Sequence, residues 1–185
     1  MFLRTLVFLG ASALSGCGYV VTSTLLDVGA LDPFSSDPGG FAIGIDTGAG
    51  LSLIDGSVTW TFSATHSPSG ETQTLEAVLV EDRTEDGLIV YTLPEADVVD
   101  LRRWQQELLA WKETSDGNSS LSFSIGGEGC RIEGVSLADD PRISVFLRLA
   151  EDAPMRPFVR NAPVLDFLET DAGSLEALPT CGVTL

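Results

Sequence analysis

The chain has 185 residues, with 10 basic and 27 acidic side chains and a net charge of −17. Such an acidic balance argues against nucleic acid as a ligand, because that binding needs a basic footprint able to displace counterions. The charge is uneven. From Gly18 to Asp100 a single basic residue, Arg83, stands against 14 acidic ones, whereas Leu101 to Leu185 carries 8 basic and 13 acidic residues. A solvated surface is the simplest use of this charge, although a field of this sign also attracts cations or a basic partner.

Met1-Phe2-Leu3-Arg4 forms a short positive start, and Thr5 to Ala13 forms an apolar run ending in small residues, as a secretory leader requires. The run is too short to span a bilayer, which takes about 20 apolar residues. It closes on Leu14-Ser15-Gly16-Cys17, which resembles the lipobox of bacterial lipoprotein precursors. The resemblance implies that the Cys17 thiol receives a diacylglyceryl group and that residues 1–16 are removed as a signal peptide. Cys17 then begins the mature protein and is acylated in turn. Two or more acyl chains hold a protein stably where one is marginal, each buried methylene contributing about 0.8 kcal/mol. In that family an aspartate after the cysteine favours inner-membrane retention in Gram-negative bacteria. Gly18 occupies the position here, so the resemblance implies an outer-membrane anchor with the body facing the periplasm or the exterior. The expected partners are the membrane, through this lipid, and an envelope protein that the sequence does not identify.

With Cys17 committed to the anchor, Cys130 and Cys181 remain as an even pair in an oxidising compartment, and a disulfide between them is expected. Two cysteines and a single distant histidine, His66, are too few ligands for a zinc centre. No segment has the spaced carboxylates of an EF-hand loop. No metal or cofactor is therefore expected.

Residues 17–40 read as a lipidated N-terminus and tether that ends in Ser35-Ser36-Asp37-Pro38-Gly39-Gly40, a cluster of chain-breaking residues. Within it, Thr22 to Leu31 is compatible with a short helix. Residues 41–185 read as one β-rich domain. Phe41, Ile43 and Ile45 alternate with small residues, and Val58, Trp60, Phe62 and Ala64 alternate with Thr59, Thr61, Ser63 and Thr65, the period of half-buried strands. Thr74 to Arg83 and Leu88 to Leu93 flank Thr84-Glu85-Asp86-Gly87, and Asp-Gly between two β-rich runs signals a hairpin.

One amphipathic helix is expected over about 94–114. Pro94 suits a first helical position, Glu95 and Asp97 suit the positive end of the helix, and Val98, Leu101, Trp104, Leu108 and Trp111 recur at helical spacing. Because that stripe also holds leucines, Trp104 and Trp111 are expected in the core rather than on a ligand platform. Further strands are expected at Ser120 to Ile125, around Arg131 to Leu137 and at Arg142 to Leu149, with a short C-terminal helix from Pro163 to about Leu168 or Leu178. The order predicts a mainly β fold, an antiparallel β-sandwich or open barrel with the helix on one end or edge.

Ile45-Asp46-Thr47-Gly48-Ala49 resembles the active-site signature of aspartic proteases, notably the retropepsin-like group. Carried over, Asp46 is the catalytic carboxylate. The chain holds one such copy, so it would act as a dimer in which two carboxylates share a proton. The group's second element, two apolar residues and a glycine leading into a helix, has no counterpart, since Gly127-Glu128-Gly129-Cys130 follows Ile125-Gly126. A strand exiting into a Thr47-Gly48-Ala49-Gly50 turn explains the same residues more simply. His66 beside Ser67-Pro68-Ser69-Gly70 reads as a hairpin turn, and Arg148, Arg156 and Arg160 with Phe146 and Phe158 read as solvated strand faces rather than a partner surface. The whole-chain pattern is similar to uncharacterised lipoproteins of alphaproteobacteria, a resemblance that implies no particular activity. The sequence therefore points to an anchored, non-catalytic binding or assembly module, with a dimeric protease using Asp46 as the alternative.

Overall fold

The computed structural model describes residues 19–21, 23, 36–66, 69–85, 88–114, 119–166 and 175–182. The leader, Cys17 and nearly all of the helix considered over Thr22 to Leu31 lie outside them. The described residues form ten strands and one long helix, all three sheets being antiparallel. The mainly β, sandwich-like expectation holds.

The strands are β1 (Phe41–Asp46), β2 (Leu51–Leu53), β3 (Thr59–His66), β4 (Glu71–Val78), β5 (Val80–Glu85), β6 (Leu88–Thr92), β7 (Ser119–Gly126), β8 (Gly129–Arg131), β9 (Arg142–Leu149) and β10 (Arg156–Pro163), with helix α1 (Glu95–Thr114) between β6 and β7. A five-stranded sheet runs β10-β9-β1-β6-β5, a three-stranded sheet β4-β3-β7, and β2 pairs with β8.

Alternation decides what each strand buries. On β3 the residues Trp60, Phe62 and Ala64 are buried, while Ser63 and Thr65 face outward and bond the hydroxyls of Thr74 and Thr72 at 3.2 and 3.0 Å. Trp60 is opposite Ala77 on one neighbour and Ile125 on the other, so a small cross-strand partner leaves room for the indole. The two larger sheets meet through aromatic rings: Phe41 of β1 lies 5.8 Å from Trp60, and Phe123 of β7 lies 6.0 Å from Phe158 of β10. Val98, Leu101, Trp104 and Leu108 of α1 join the same core, which confirms the helical stripe. The Pro94 carbonyl accepts the Val98 N–H at 3.0 Å, so the first helical hydrogen bond closes where the sequence places the helix start.

The small residues of β1 are also explained. That strand is central and its alternate positions are covered too, Ala42 being fully buried. At Gly44 a Cβ would lie 2.4 Å from Leu88 Cδ2, so β1 alternates large with small to pack on both faces.

Three expectations change. Thr74 to Arg83 is two strands, because the chain leaves the three-stranded sheet at Leu79, whose N–H bonds the Val58 carbonyl at 2.8 Å, and joins the five-stranded sheet as β5. Alternation runs unbroken through Ala77 and Leu79, both buried, so the pattern carries no mark of the crossing. The strand expected over Arg131 to Leu137 stops at Arg131; Val135 N–H turns back onto the Ile132 carbonyl, and Ile132 and Val135 are exposed. In place of one C-terminal helix there are two 3₁₀ turns, Val164–Asp166 and Leu175–Ala177, the residues between lying outside those described.

The segment expected as a tether is fastened to the body at two points. Tyr19–Val21 lies along β10, with Val21 N–H bonded to the Phe158 carbonyl at 2.8 Å and Arg160 N–H to the Tyr19 carbonyl at 2.9 Å. Further on, Pro38–Gly40 forms a 3₁₀ turn capped by Asp37, whose carboxylate accepts the Gly39 N–H at 3.0 Å and pairs with Arg102 of α1 at 2.7 Å. The Gly39 N–H and the Arg102 guanidinium hold the Asp37 carboxyl below the ordinary carboxylate range. The Gln105 amide donates to the Ser36 carbonyl at 2.9 Å, clamping this turn to the helix.

Tyr91 gives a test of the packing. It is 5% exposed, and burial, with Glu81 and Asp55 adding negative charge, raises its hydroxyl to about 12. The native state thus favours the neutral phenol, so this contribution is intact below about pH 10 and is lost as pH rises through about 12. In a Tyr19→Phe protein, which retains Tyr91 as its one tyrosine, phenolate absorbance is expected to appear with a midpoint near 12. A midpoint at the free-phenol value with native circular dichroism retained would show Tyr91 to be solvated.

Candidate functional site: an aromatic cavity

Where α1 packs over the core beside the Pro38–Gly40 turn, the packing does not close. A cavity of about 80 Å³ lies between the helix and the two larger sheets, lined by Phe41, Trp60, Phe62, Leu101, Trp104 and Gln105, and reaching Ser36, Leu121, Phe123 and Leu149. No charged side chain is among these residues. Leu121 is 40% exposed, so the cavity approaches the surface over β7. Its walls are aromatic on the sheet side, where the Trp60 ring stacks on Phe62 at 5.1 Å and meets Phe123 edge-on at 6.0 Å.

Two buried polar atoms lie in its walls. The indole nitrogens of Trp60 and Trp104 are buried and have no hydrogen-bond acceptor, although Trp60 is 2% and Trp104 8% exposed. A buried donor left unpaired costs about 1–3 kcal/mol, and buried tryptophans normally find a partner. Both rings line the same space, with their nitrogens beneath its surface rather than on it. The sequence placed Trp104 in the core, which the burial supports; it contained no signal that the core is incompletely filled there.

The residues singled out from the sequence fall elsewhere. Cys130 and Cys181 are disulfide-bonded. The bond fastens the C-terminal segment to β8, beside backbone bonds from Arg131 N–H to the Pro179 carbonyl and from Cys181 N–H to the Arg131 carbonyl, both 2.8 Å. Leu178 packs there with Leu51 and Val164 in a small second core. Asp46 ends β1 with its side chain exposed; its carboxylate accepts the Gly48 N–H at 3.0 Å, and the Thr47 hydroxyl donates to the Leu51 carbonyl at 2.8 Å. This geometry accounts for Asp46-Thr47-Gly48 as a turn linking β1 to β2. His66 caps the β3–β4 hairpin, its Nδ1 lying 2.7 Å from Ser69 Oγ and its ring 5.2 Å from that of Trp111. Of the arginine and phenylalanine group, Phe158 turns toward the core and Arg148 donates to the Gly40 carbonyl at 3.3 Å.

The chain enters the fold far from the cavity. Tyr19–Val21 runs antiparallel to β10, so it arrives from the end where β10 finishes at Pro163 opposite Arg142 and β1 finishes at Asp46 opposite Ser144. The cavity touches Phe41 and Leu149, which pair at the other end of the same strands. Phe41 and Asp46 stand five steps apart along β1, roughly 17 Å at strand rise.

No helix among the described residues is long and apolar enough to cross a membrane, and they contain no group of three or more histidine, cysteine or acidic residues placed to hold a metal ion. Comparison of the chain with protein-family models, curated proteins and solved structures finds no match. What fold and site define is a mainly β, disulfide-tied domain with an uncharged aromatic cavity at one end.

Proposed function

We propose that this chain is a lipid-anchored protein of the bacterial cell envelope whose β domain is a non-catalytic binding module. The observation that carries the binding reading is the uncharged, aromatic-lined cavity between the helix and the two larger sheets. A concave, mostly apolar space with a few polar groups at its rim is the usual form of a small-molecule site. The anchor reading rests on Leu14-Ser15-Gly16-Cys17.

The two readings fit together. One residue, Gly18, separates Cys17 from sheet-bonded Tyr19, and two residues of chain reach at most about 7 Å. An acylated Cys17 would hold the domain close to the bilayer by the end bearing the disulfide. The cavity, at the opposite end of β1, would face away from the membrane. An outer-membrane anchor with the domain in the periplasm or on the exterior suits the strongly acidic surface, which anionic headgroups repel.

Cys17→Ser protein is expected in the soluble periplasmic fraction, while the unsubstituted chain sediments with membranes. Unchanged membrane attachment would remove the anchor from this reading. In the soluble variant, a small-molecule extract of its own envelope is expected to move the indole N–H signals of Trp60 and Trp104. If nothing in the extract moves them, the domain is not a binding module of this kind.

A further inference from the structure

We propose that the free edge of β7 is a self-association surface, at which two copies of this chain pair β7 with β7 antiparallel about a two-fold axis. The inference depends neither on the cavity nor on the lipid anchor.

β7 ends the three-stranded sheet and pairs with β3 alone, so alternate backbone N–H and C=O groups along it point away from the sheet. No backbone hydrogen bond among the described residues reaches them. Such an edge is a template for another strand, and folded proteins blunt it with charge, proline, bulges or shortness.

The other edges here are blunted. β10 contains Pro157 and Pro163 with two register shifts, and Tyr19–Val21 lies along it. β5 carries exposed Glu81 and Asp82 and a register shift, and β4 carries exposed Glu71 and Glu76. β2 and β8 have three residues each. β7 has none of these devices. Its sequence, Ser119-Ser120-Leu121-Ser122-Phe123-Ser124-Ile125-Gly126, is uncharged, free of proline and in unbroken register with β3 over all eight residues. Leu121, on its inner face, is 40% exposed.

Symmetry and charge select the occupant. Side chains directly opposed in an antiparallel pair share a face, so a two-fold axis sets odd-numbered residues opposite odd and even opposite even. Leu121, Phe123 and Ile125 of the two copies then share one face of the joined sheet, and Ser120, Ser122 and Ser124 share the other. Each copy has a net charge of −17, so the two repel at long range. At β7 their contact adds no charge, whereas self-pairing of β4 or β5 would carry carboxylates into it. The pair also closes. The joined sheet ends in β4 on both sides, where Glu71 and Glu76 discourage a further strand, so assembly stops at the dimer.

The test is sedimentation equilibrium of the soluble Cys17→Ser chain, which has no lipid to drive assembly. One strand pair is a small contact, so a Kd of roughly 10–100 µM is expected. Raising salt from about 0.02 M to about 0.5 M is expected to tighten it about tenfold by screening the repulsion. Ser122→Lys sets a lysine on this edge at an exposed position. It is expected to weaken the dimer about tenfold with native circular dichroism retained. Glu76→Lys, on the opposite edge of the same sheet, is expected to dimerise no more weakly than the parent.

Hydrogen exchange of the parent locates the contact without any variant. As the dimer forms, the outward amides of β7 are expected to slow about fivefold while those on the free edge of β4 do not change. A chain that stays monomeric at about 200 µM in high salt, a dimer indifferent to Ser122→Lys, or protection at another edge in place of β7 would each overturn the proposal.

Discussion

Replacing Cys130 and Cys181 together by serine is expected to lower the unfolding free energy by about 4 kcal/mol. The bond joins residues 51 positions apart, and in the chain-entropy model closing a loop of that length removes about this much freedom from the unfolded chain. Against a total stability of roughly 5–15 kcal/mol for a domain, the loss is large. The loop also contains β9 and β10, two of the five strands of the larger sheet, so the effect is not confined to the C-terminus. Locally little would replace the bond. Among the described residues, the C-terminal segment is held by the bridge of Arg131 to Thr180, by the Arg131 Nε–H donating to the Leu178 carbonyl at 3.1 Å and by burial of Leu178 against Leu51 and Val164. Amides of Arg131 and Cys181, which bond across this junction, are expected to exchange with solvent well before those of β1 and β3 when the bond is reduced. Denaturant unfolding with and without reductant measures the global term, and hydrogen exchange measures the local one. A change below about 1 kcal/mol would mean that the unfolded chain is already restricted near this loop.

How much of this was legible in the sequence depends on whether a residue's role is local. β1 and β3 carried clean alternation because each buries its large residues on one face, and α1 carried a helical stripe for the same reason. The β5–β6 hairpin was marked by Asp86-Gly87, and its register, Glu85 opposite Leu88, fits a two-residue loop. β10 was hidden because Pro157 and Pro163 lie within it, register shifts follow Pro157 and Val159, and Asn161 takes φ 51°. Each of these breaks the period that marks a strand. β2 and β8 have three residues apiece, too few to show any period. The cavity was illegible for a different reason. A stripe such as Leu101, Trp104 and Leu108 tells which face is buried, not whether the opposing sheets fill the space above it; that follows from Trp60 and Phe123 arriving from other strands. Cysteine parity, by contrast, identified the disulfide from counting alone.

Gly40→Ala is expected to cost about 3 kcal/mol, the upper end of the range for forcing an extra group into packed structure, whereas Gly39→Ala beside it is expected to stay within about 0.5 kcal/mol. The two glycines share one 3₁₀ turn and differ in what an added methyl would meet. At Gly40 a Cβ would lie 2.2 Å from the Glu151 nitrogen and 2.6 Å from the Ala150 carbonyl carbon, backbone atoms that directly follow β9. Relief requires moving the turn or the end of that strand. At Gly39 the nearest atom is Arg102 Nη2 at 3.3 Å, the end of a flexible side chain on the helix surface, which yields at little cost. The consequence reaches the cavity, because Ser36 and Phe41 line it from either side of this turn and Gln105 holds Ser36 in place. Lifting the turn from β9 would open that wall, so Gly40→Ala is expected to weaken cavity ligands as well as stability, while Gly39→Ala leaves both near the parent values. Thermal unfolding of the two variants side by side decides the matter. Equal stability would show that the turn does not press on β9 as closely as these distances require, and the contact between Gly40 and the Ala150–Glu151 backbone would then not shape the cavity.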